Sequence, residues 1–235
     1  MQFTTLRQRA YHRIREKLIA GDLPPGAALS EPLLARELGM SRTPIREAIR
    51  QMEMEGLVAY SPRFGATVRL LDREELAEMY VVREALESYA AADAARRITD
   101  AELNQVELLW RQMQEIDEAF RRSGTEHLEG DLLRRFLAVD MRFHQLIIRA
   151  AGNRYMSKVL EDTRLLARVF ASATWLYDRP TLDEANSFHL RLLNALKQHD
   201  PEAARQCTIE AMHVSRRNAM KRFELQDNTE GTPIG

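Results

Sequence analysis

Residues 41–58 have the sequence SRTPIREAIRQMEMEGLV, which combines a two-faced helical pattern with a helix-ending glycine. At about 100° per residue, one side of this helix carries the apolar residues Ile45, Ala48, Ile49 and Met52. The opposite side carries the polar residues Arg42, Thr43, Arg46 and Arg50. Gly56 is a favoured residue at a helix C-terminus because it tolerates a positive φ. The stretch therefore predicts a helix that packs by one face and presents guanidinium groups on the other.

The segments on either side of this helix predict a small domain. An apolar residue every fourth position from Leu6 to Leu18 predicts a first helix. Ser30 as a cap, with Pro32 in the first turn, predicts a short second helix. Beyond the third helix the pattern alternates in residues 57–60 and 66–70, which predicts a β-hairpin. Three helices followed by a hairpin is the order of a winged helix-turn-helix, whose third helix enters the major groove of DNA.

The polar face of the third helix has the chemistry of a DNA-reading surface. Arginine offers forked donors that suit guanine edges and phosphates, and the N-terminus of a helix favours a phosphate. The residues expected to contact DNA lie at the start of this helix, along its polar face and at the hairpin tip: Ser41, Arg42, Thr43, Arg46, Arg50, Arg63 and Gly65. The alternative is an ordinary solvated helix face whose arginines pair with Glu47 or Glu53.

From Asp72 onward the sequence has only helical patterns. These patterns cover residues 73–97, 100–122, 132–151, 154–177, 182–199 and 201–224. We therefore predict a mainly α protein with a winged helix-turn-helix in residues 1–71 and an all-helical antiparallel bundle in residues 72–222. Residues 223–235 are predicted to form a disordered polar tail.

The composition is that of a soluble globular protein. The chain has 235 residues, which is enough for two domains. Of these residues, 45% are hydrophobic and 29% are charged. It contains no apolar run long enough to span a bilayer and no secretory signal, so we expect a cytoplasmic protein. Residues 1–71 carry 11 basic against 7 acidic residues, a balance compatible with phosphate binding. Cys207 is the only cysteine, which excludes an internal disulfide and a cysteine-based zinc cluster.

Four residues of the helical region form a candidate metal site. Asp140 and His144 are four residues apart, so they project from one face of a helix within an apolar stripe. His189 and His213 lie on similar faces of two later helices. A buried carboxylate needs a partner, and one carboxylate with three imidazoles suits Zn, Ni, Mn or Fe, with Zn favoured by the ligand types.

Spacing alone leaves three functions open for these four residues. They are a ligand-sensing site in a regulator, a water-activating metalloenzyme site, or a set of hydrogen-bonded core residues without an ion. The sequence has no HExxH motif and no nucleophile elbow, so we expect a protein that is not an enzyme.

The first 70 residues closely resemble the DNA-binding domain of the GntR family. The resemblance is carried by LSE at 29–31, LA at 34–35, SRTPIREAI at 41–49, EGLV at 55–58 and GATV at 65–68. It implies that Arg42, Thr43 and Arg46 contact an operator and that the wing tip touches the adjacent groove. The chain departs from the pattern at Pro32, where some members have a DNA-contacting arginine.

Residues 72–222 resemble the FCD ligand-binding domain of the FadR-like GntR regulators. The resemblance is carried by VREALE at 82–87, by Asp140 to Asn153, by FH at 188–189, by DPEAA at 200–204 and by MH at 212–213. It implies that a helical bundle binds a small carboxylate effector beside a divalent metal. It also implies that Asp140, His144, His189 and His213 are the metal ligands.

Together these observations predict a dimeric transcription regulator, with repression the usual outcome in the resembled family. Two copies would place their third helices on successive major-groove faces of a palindromic double-stranded operator. The expected partners are therefore operator DNA, a small organic acid and a second copy of the chain, without a membrane. Arg83 is a candidate clamp for the effector carboxylate, and the alternative is an ion pair with Glu87 four residues later.

Overall fold

The N-terminal part of the chain folds as a winged helix-turn-helix. We describe a computed structural model, which covers residues 5–61, 65–171 and 177–230. Helices α1 (Leu6–Ala20), α2 (Glu31–Leu38) and α3 (Arg42–Met54) precede strands β1 (Val58–Ser61) and β2 (Gly65–Val68). The two strands are antiparallel, with Val58 opposite Val68 and Ser61 opposite Gly65. This order of elements confirms the predicted fold of the region.

Local sequence explains where the first helices begin and end. The Ser30 side chain accepts a hydrogen bond from the Leu33 backbone N–H, and Pro32 lies in the first turn of α2. Gly39 ends α2 in the left-handed conformation at φ 63°. Ser41 occupies the N-cap position of α3, where its side chain makes no capping hydrogen bond. Ser30 therefore marks the start of α2, and Gly39 ends the helix at the turn that leads to α3.

The core of this domain fixes the orientation of α3. Ile14 and Leu18 of α1 and Ile45, Ala48 and Met52 of α3 are completely buried. Burial of each large side chain contributes about 1.5–3 kcal/mol. Because α3 is held by this inner face, its opposite face points away from the core.

The rest of the chain is helical. Its elements are α4 (Arg73–Arg97), α5 (Asp100–Ser123), α6 (Gly130–Ala150), α7 (Arg154–Ala171), α8 (Arg179–Lys197) and α9 (Pro201–Glu230). Helix α4 packs against α9 and α6, and α5 packs against α6 and α8. Helix α8 also packs against α9 and α4. This packing surrounds the buried polar residues Arg83, Glu87, Asn186 and His189.

Several predicted boundaries differ from those in the structure. Helix α8 begins at Arg179 rather than at 182, because the Asp178 side chain caps it by accepting a hydrogen bond from the Thr181 backbone N–H. Helix α7 is described to Ala171, and Tyr177, predicted as its last residue, is not helical. Helix α9 continues to Glu230, beyond the helix end predicted at residue 224. The sequence from 223 to 230 contains neither glycine nor proline to end the helix.

The chain divides into two units by internal contacts. The first comprises Met1–Asp72 with Leu165–Ala173, and the second comprises Arg73–Arg164 with Thr174–Gly235. We call the second unit the helical domain. Across the described residues, no helix combines the length and the apolar character that crossing a membrane requires.

Candidate functional site

Three of the predicted metal ligands converge inside the helical domain. Asp140 Oδ1 lies 3.1 Å from His189 Nε2 and 3.6 Å from His144 Nε2. The two Nε2 atoms are 3.2 Å apart. One ligand atom from each residue therefore lies within 4.8 Å of the others, which is the arrangement that a metal ion needs. We call these three residues the Asp–His–His cluster.

Helix geometry explains why these side chains meet. Asp140 and His144 are one turn apart on α6, so they point to the same side. His189 lies on the buried stripe of α8, in line with Leu182, Asn186 and Leu193. The Phe143 ring packs edge-on against the rings of both His144 and His189, with centroids 5.4 Å and 5.0 Å away. The Phe143 ring therefore forms an apolar surface against both imidazoles of the cluster.

His144 has the protonation state of a metal ligand. Burial lowers its pKa to about 4, and the positive charge of Arg164 acts in the same direction. The hydrogen bond and negative charge of Asp140 raise the pKa, but by less. The imidazole is consequently neutral near pH 7, and a neutral imidazole is the form that binds a metal.

Polar atoms on α8 beside the cluster lack partners. Within the described part of the chain, neither the Oδ1 nor the Nδ2 atom of Asn186 makes a hydrogen bond, and neither does His189 Nδ1. Asn186 is only 9% exposed and precedes His189 by three residues, so the two side chains are neighbours on one face. Leaving a buried polar group unpaired costs about 1–3 kcal/mol of folding free energy. A hydrogen bond from each of these atoms to a ligand or to water would therefore be favourable.

His213, the fourth predicted ligand, is not brought to the cluster. It lies on α9, where its Nε2 atom is 3.0 Å from Glu84 Oε2 and its side chain is 62% exposed. In this conformation the imidazole pairs with a carboxylate of α4 and leaves the Asp–His–His cluster with three ligands.

Arg83, the predicted effector clamp, forms a buried ion pair. Its Nε atom donates to Glu87 Oε1 at 2.8 Å, which is the alternative that the spacing allowed. Glu87 Oε2 also accepts a hydrogen bond from Arg164 Nη1 on α7. Burial alone would raise the pKa of Glu87, but the charges of Arg164 and Arg83 outweigh it and hold the pKa below its usual value. We call Arg83, Glu87 and Arg164 the buried charge triad.

The predicted DNA-reading face of α3 is exposed. Ser41, Arg42, Thr43, Arg46 and Arg50 are all exposed, whereas the apolar residues between them are buried. At the start of β2, Gly65 has a φ of 74°, a conformation that favours glycine. The predicted contact Arg63 lies outside the described residues.

Two of the exposed arginines share a partner on the neighbouring helix α2. The Glu31 carboxylate, in the first turn of α2, accepts hydrogen bonds from Arg46 Nε at 3.0 Å and from Arg42 Nη2 at 3.3 Å. The proposed alternative partners Glu47 and Glu53 lie on α3 itself. Glu31 was missed because the contact joins two helices, which periodicity within one helix does not predict.

Comparisons with known proteins agree with this architecture. Residues 6–68 match the gntR family of bacterial regulatory proteins, and residues 78–214 match the FCD domain. A probable D-xylose utilization operon transcriptional repressor from Paenarthrobacter nicotinovorans is 31% identical over 86% of this chain and 83% of its own length. The Escherichia coli regulator McbR is 27% identical over 90% of this chain and 91% of its own length. The solved structure of E. coli McbR/YncC, at 24% identity, has a TM-score of 0.79 over 93% of this chain and 99% of its own.

The winged helix-turn-helix and the following helical domain define a transcription regulator rather than an enzyme. Within that class, the chain belongs to the GntR family and carries an FCD domain as its second part. The family resemblance found in the sequence is thereby confirmed.

Proposed function

We propose that this GntR regulator is a cytoplasmic, homodimeric repressor whose operator affinity is controlled by a small carboxylate effector bound beside a divalent metal ion. The observation that carries the proposal is the convergence of Asp140 Oδ1, His144 Nε2 and His189 Nε2. A carboxylate and two imidazoles that face one another in the interior contribute less to a packed core than apolar side chains would, which favours a ligand-binding role for them.

The cluster fits a divalent ion of the zinc type. One carboxylate and two neutral imidazoles are common ligands of Zn, Ni, Mn and Fe, with Zn favoured by ligand type. Three protein ligands would leave one coordination position of the ion open. The ion would act as a Lewis acid toward an effector oxygen bound at that position. His213 is the fourth ligand that the family resemblance implies. Its imidazole would have to break the contact with Glu84 before it could bind the ion.

The effector would be a carboxylate because the surroundings of the cluster favour an anion. Arg83 and Arg164 place two guanidinium groups on one buried glutamate, Glu87. The unpaired amide of Asn186 offers one donor and one acceptor on the same stripe of α8 as His189. A carboxylate that bound the ion could use these groups for orientation, which would give selectivity among acids.

The DNA contacts would be made by the exposed face of α3. Arg42, Arg46 and Arg50 offer donors for guanine and phosphate, and Ser41 and Thr43 lie where a helix N-terminus binds phosphate. Gly65 and Arg63 of the wing would reach the neighbouring groove or backbone. Two copies would read the half-sites of a palindrome about 34–36 Å apart.

An exposed apolar surface on α4 and α7 supports the homodimer. Val82 and Tyr89 of α4 and Tyr155 and Val159 of α7 have exposures between 44% and 85%. In the sequence, Tyr89, Tyr155 and Val159 each directly precede a residue of one buried cluster that joins α4, α6 and α7. We expect Val159→Glu to give a monomer in light scattering, whereas Leu108→Glu, at another exposed apolar residue, would leave a dimer.

The central experiment measures operator binding with and without metal. Protein without a histidine tag is analysed for bound metal and then titrated with DNA from its own upstream region by fluorescence anisotropy. Short mono-, di- and hydroxycarboxylic acids are added to the native protein and to protein stripped by a chelator. The proposal expects at least one acid to weaken operator binding only when the metal is present. The proposal would be contradicted if the purified protein contained no metal and its melting temperature changed neither with chelator nor with added Zn.

A further inference from the structure

Glu31 connects the two arginines of the recognition helix. Its Oε1 atom accepts a hydrogen bond from Arg46 Nε at 3.0 Å, and its Oε2 atom accepts from Arg46 Nη2 at 3.0 Å and from Arg42 Nη2 at 3.3 Å. The hydrogen bond from Arg46 holds the pKa of the Glu31 carboxyl below its usual value despite partial burial, so the group is ionised at neutral pH. One carboxylate therefore orients two guanidinium groups.

The position of Glu31 is itself fixed by the sequence around it. Ser30 caps α2 and Pro32 sets the backbone of the first turn, so Glu31 lies at a defined place beside α3. The N-terminal end of a helix also favours a negative side chain. The carboxylate thus comes from a rigid part of α2 and contacts side chains that are flexible in themselves.

The contact leaves part of each arginine available. Arg46 uses its Nε–Nη2 edge for Glu31, and no hydrogen bond from its Nη1 group occurs among the described residues. The side chains of Arg42 and Arg46 remain 60% and 49% exposed. Ion pairs this exposed contribute little to folding stability, so the main physical effect of the contact is on the direction of the guanidinium groups.

We propose that Glu31 is a positioning residue for base recognition, which holds Arg46 and Arg42 so that their free donors meet guanine in one orientation. This inference rests on the proposed function, in which both arginines contact DNA. A free arginine adapts to many phosphates and bases, whereas a held arginine loses binding when the base edge is misplaced. Glu31 therefore increases discrimination between sequences, although its charge repels every phosphate nearby.

A simpler effect of the same contact would be electrostatic masking. If Glu31 only neutralised the arginines, its removal would raise the affinity for all DNA sequences by the same factor. Under the positioning proposal, its removal raises the affinity for unrelated DNA and lowers the ratio between preferred and unrelated DNA. The ratio of the two affinities separates the two cases.

The test uses the full-length chain and a library of random-sequence duplexes. The wild type, Glu31→Gln and Glu37→Gln are each taken through selection, and the bound DNA is sequenced. Glu37 pairs with Lys17 at 2.6 Å, so Glu37→Gln removes the same charge from α2 without touching α3. Affinities for the enriched duplex and a scrambled duplex are then measured by anisotropy.

We expect the wild type and Glu37→Gln to enrich the same motif, and we expect the affinity ratio to fall about tenfold in Glu31→Gln. An unchanged ratio in Glu31→Gln would overturn the proposal in favour of masking. No enrichment by the wild type would contradict the proposed DNA function itself.

Glu31→Asp distinguishes the effect of side-chain geometry from the effect of charge. It also provides a second test of the proposal if Glu31→Gln does not fold. It keeps the negative charge at the start of α2 but shortens the side chain by one methylene group, so it reaches the two arginines less well. We expect a reduced affinity ratio with unchanged affinity for the scrambled duplex. A wild-type ratio in Glu31→Asp, with a wild-type melting temperature, would count against positioning.

Discussion

Asp140 of α6 and His189 of α8 are joined across the helical domain by a distance of 3.1 Å between Oδ1 and Nε2. His144 lies 3.2 Å from the same His189 nitrogen, so the carboxylate and both rings face one point. A largely buried carboxylate and two imidazole rings approach this closely only when hydrogen bonds or a cation join them. The metal content of variants at these positions distinguishes a cation from hydrogen bonds alone.

Removing a cluster ligand is expected to remove the metal. His189→Ala and Asp140→Asn should contain little metal after purification without a tag, whereas the wild type should hold close to one ion per chain, because each variant loses one of three ligands. Mass spectrometry of the metal content tests this. His127→Ala is the matched control, since His127 is a histidine of the same domain outside the cluster. Equal metal in all four proteins would exclude this site.

The role of His213 can be measured separately. If it joins the ion as a fourth ligand, His213→Ala should bind Zn more weakly than the wild type but still more tightly than His189→Ala. His213→Ala keeps the three ligands that already converge, whereas His189→Ala keeps two of them and depends on His213, which must first leave Glu84. Competition with a fluorescent zinc chelator gives the three affinities. Glu84→Gln should have the opposite effect and increase the affinity for Zn, because it weakens the 3.0 Å contact between Glu84 and His213. Identical affinities of His213→Ala and the wild type would mean that the ion uses three protein ligands.

Loss of an α3 arginine should reduce sequence-specific binding. Arg46→Ala is expected to cost about 1–3 kcal/mol of operator affinity, because a guanine would lose its bidentate donor. Anisotropy titrations with the operator and with unrelated DNA measure the specific and non-specific parts. Arg13→Ala removes the same charge from an exposed pair with Glu16 on α1 and should bind the operator nearly as well as the wild type. A similar loss in both variants would indicate general electrostatics rather than recognition.

Glu87 should matter for stability because two arginines depend on it. Glu87→Leu leaves Arg83 and Arg164 without their shared counter-charge inside the domain, and we expect a loss of about 3–5 kcal/mol in the free energy of unfolding. Urea denaturation measures it. Glu107 also pairs with two basic residues, Arg111 and Lys197, but near the surface. Glu107→Leu should therefore destabilise the protein much less than Glu87→Leu. A small effect of Glu87→Leu would show that the triad is not a net source of stability.

The contribution of Glu87 to stability should depend on pH. Its pKa in the folded chain lies below the reference value of 4.5, so the unfolded chain binds more protons in the window just below 4.5. The stabilising contribution is complete above that value and is lost as the pH falls through the folded pKa. The difference in unfolding free energy between the wild type and Glu87→Gln should therefore narrow on acidification from about pH 5. A difference that widens there would mean that burial, rather than the two arginines, controls Glu87.

The sequence was sufficient for the fold because the deciding features are local. The apolar face of α3, the Ser30 cap, Gly39 and the alternation of the wing each depend on neighbours within a few residues. The capping role of Asp178 was also visible in the order Asp178, Arg179, Pro180, yet the predicted start of α8 at 182 passed over it. Boundaries of this kind depend on a single side-chain contact.

The site was less predictable because its contacts join distant segments. Periodicity placed Asp140 and His144 on one face but did not specify that His213 would turn toward Glu84. Arg164 was not singled out at all, since its pairing with Glu87 requires α7 to pack beside α4. Asn186 likewise gave no pattern of its own, because an asparagine on an apolar stripe becomes informative only when its lack of a partner is seen.

Helix α9 has a practical consequence for observing this regulator in solution. With 30 residues it measures about 45 Å, and it runs from Pro201 past His213 to Glu230. A fluorophore fixed to its last turn would move together with the helix that bears His213. The rotational correlation time of such a label would report tumbling of the helical domain rather than the motion of a loose tether.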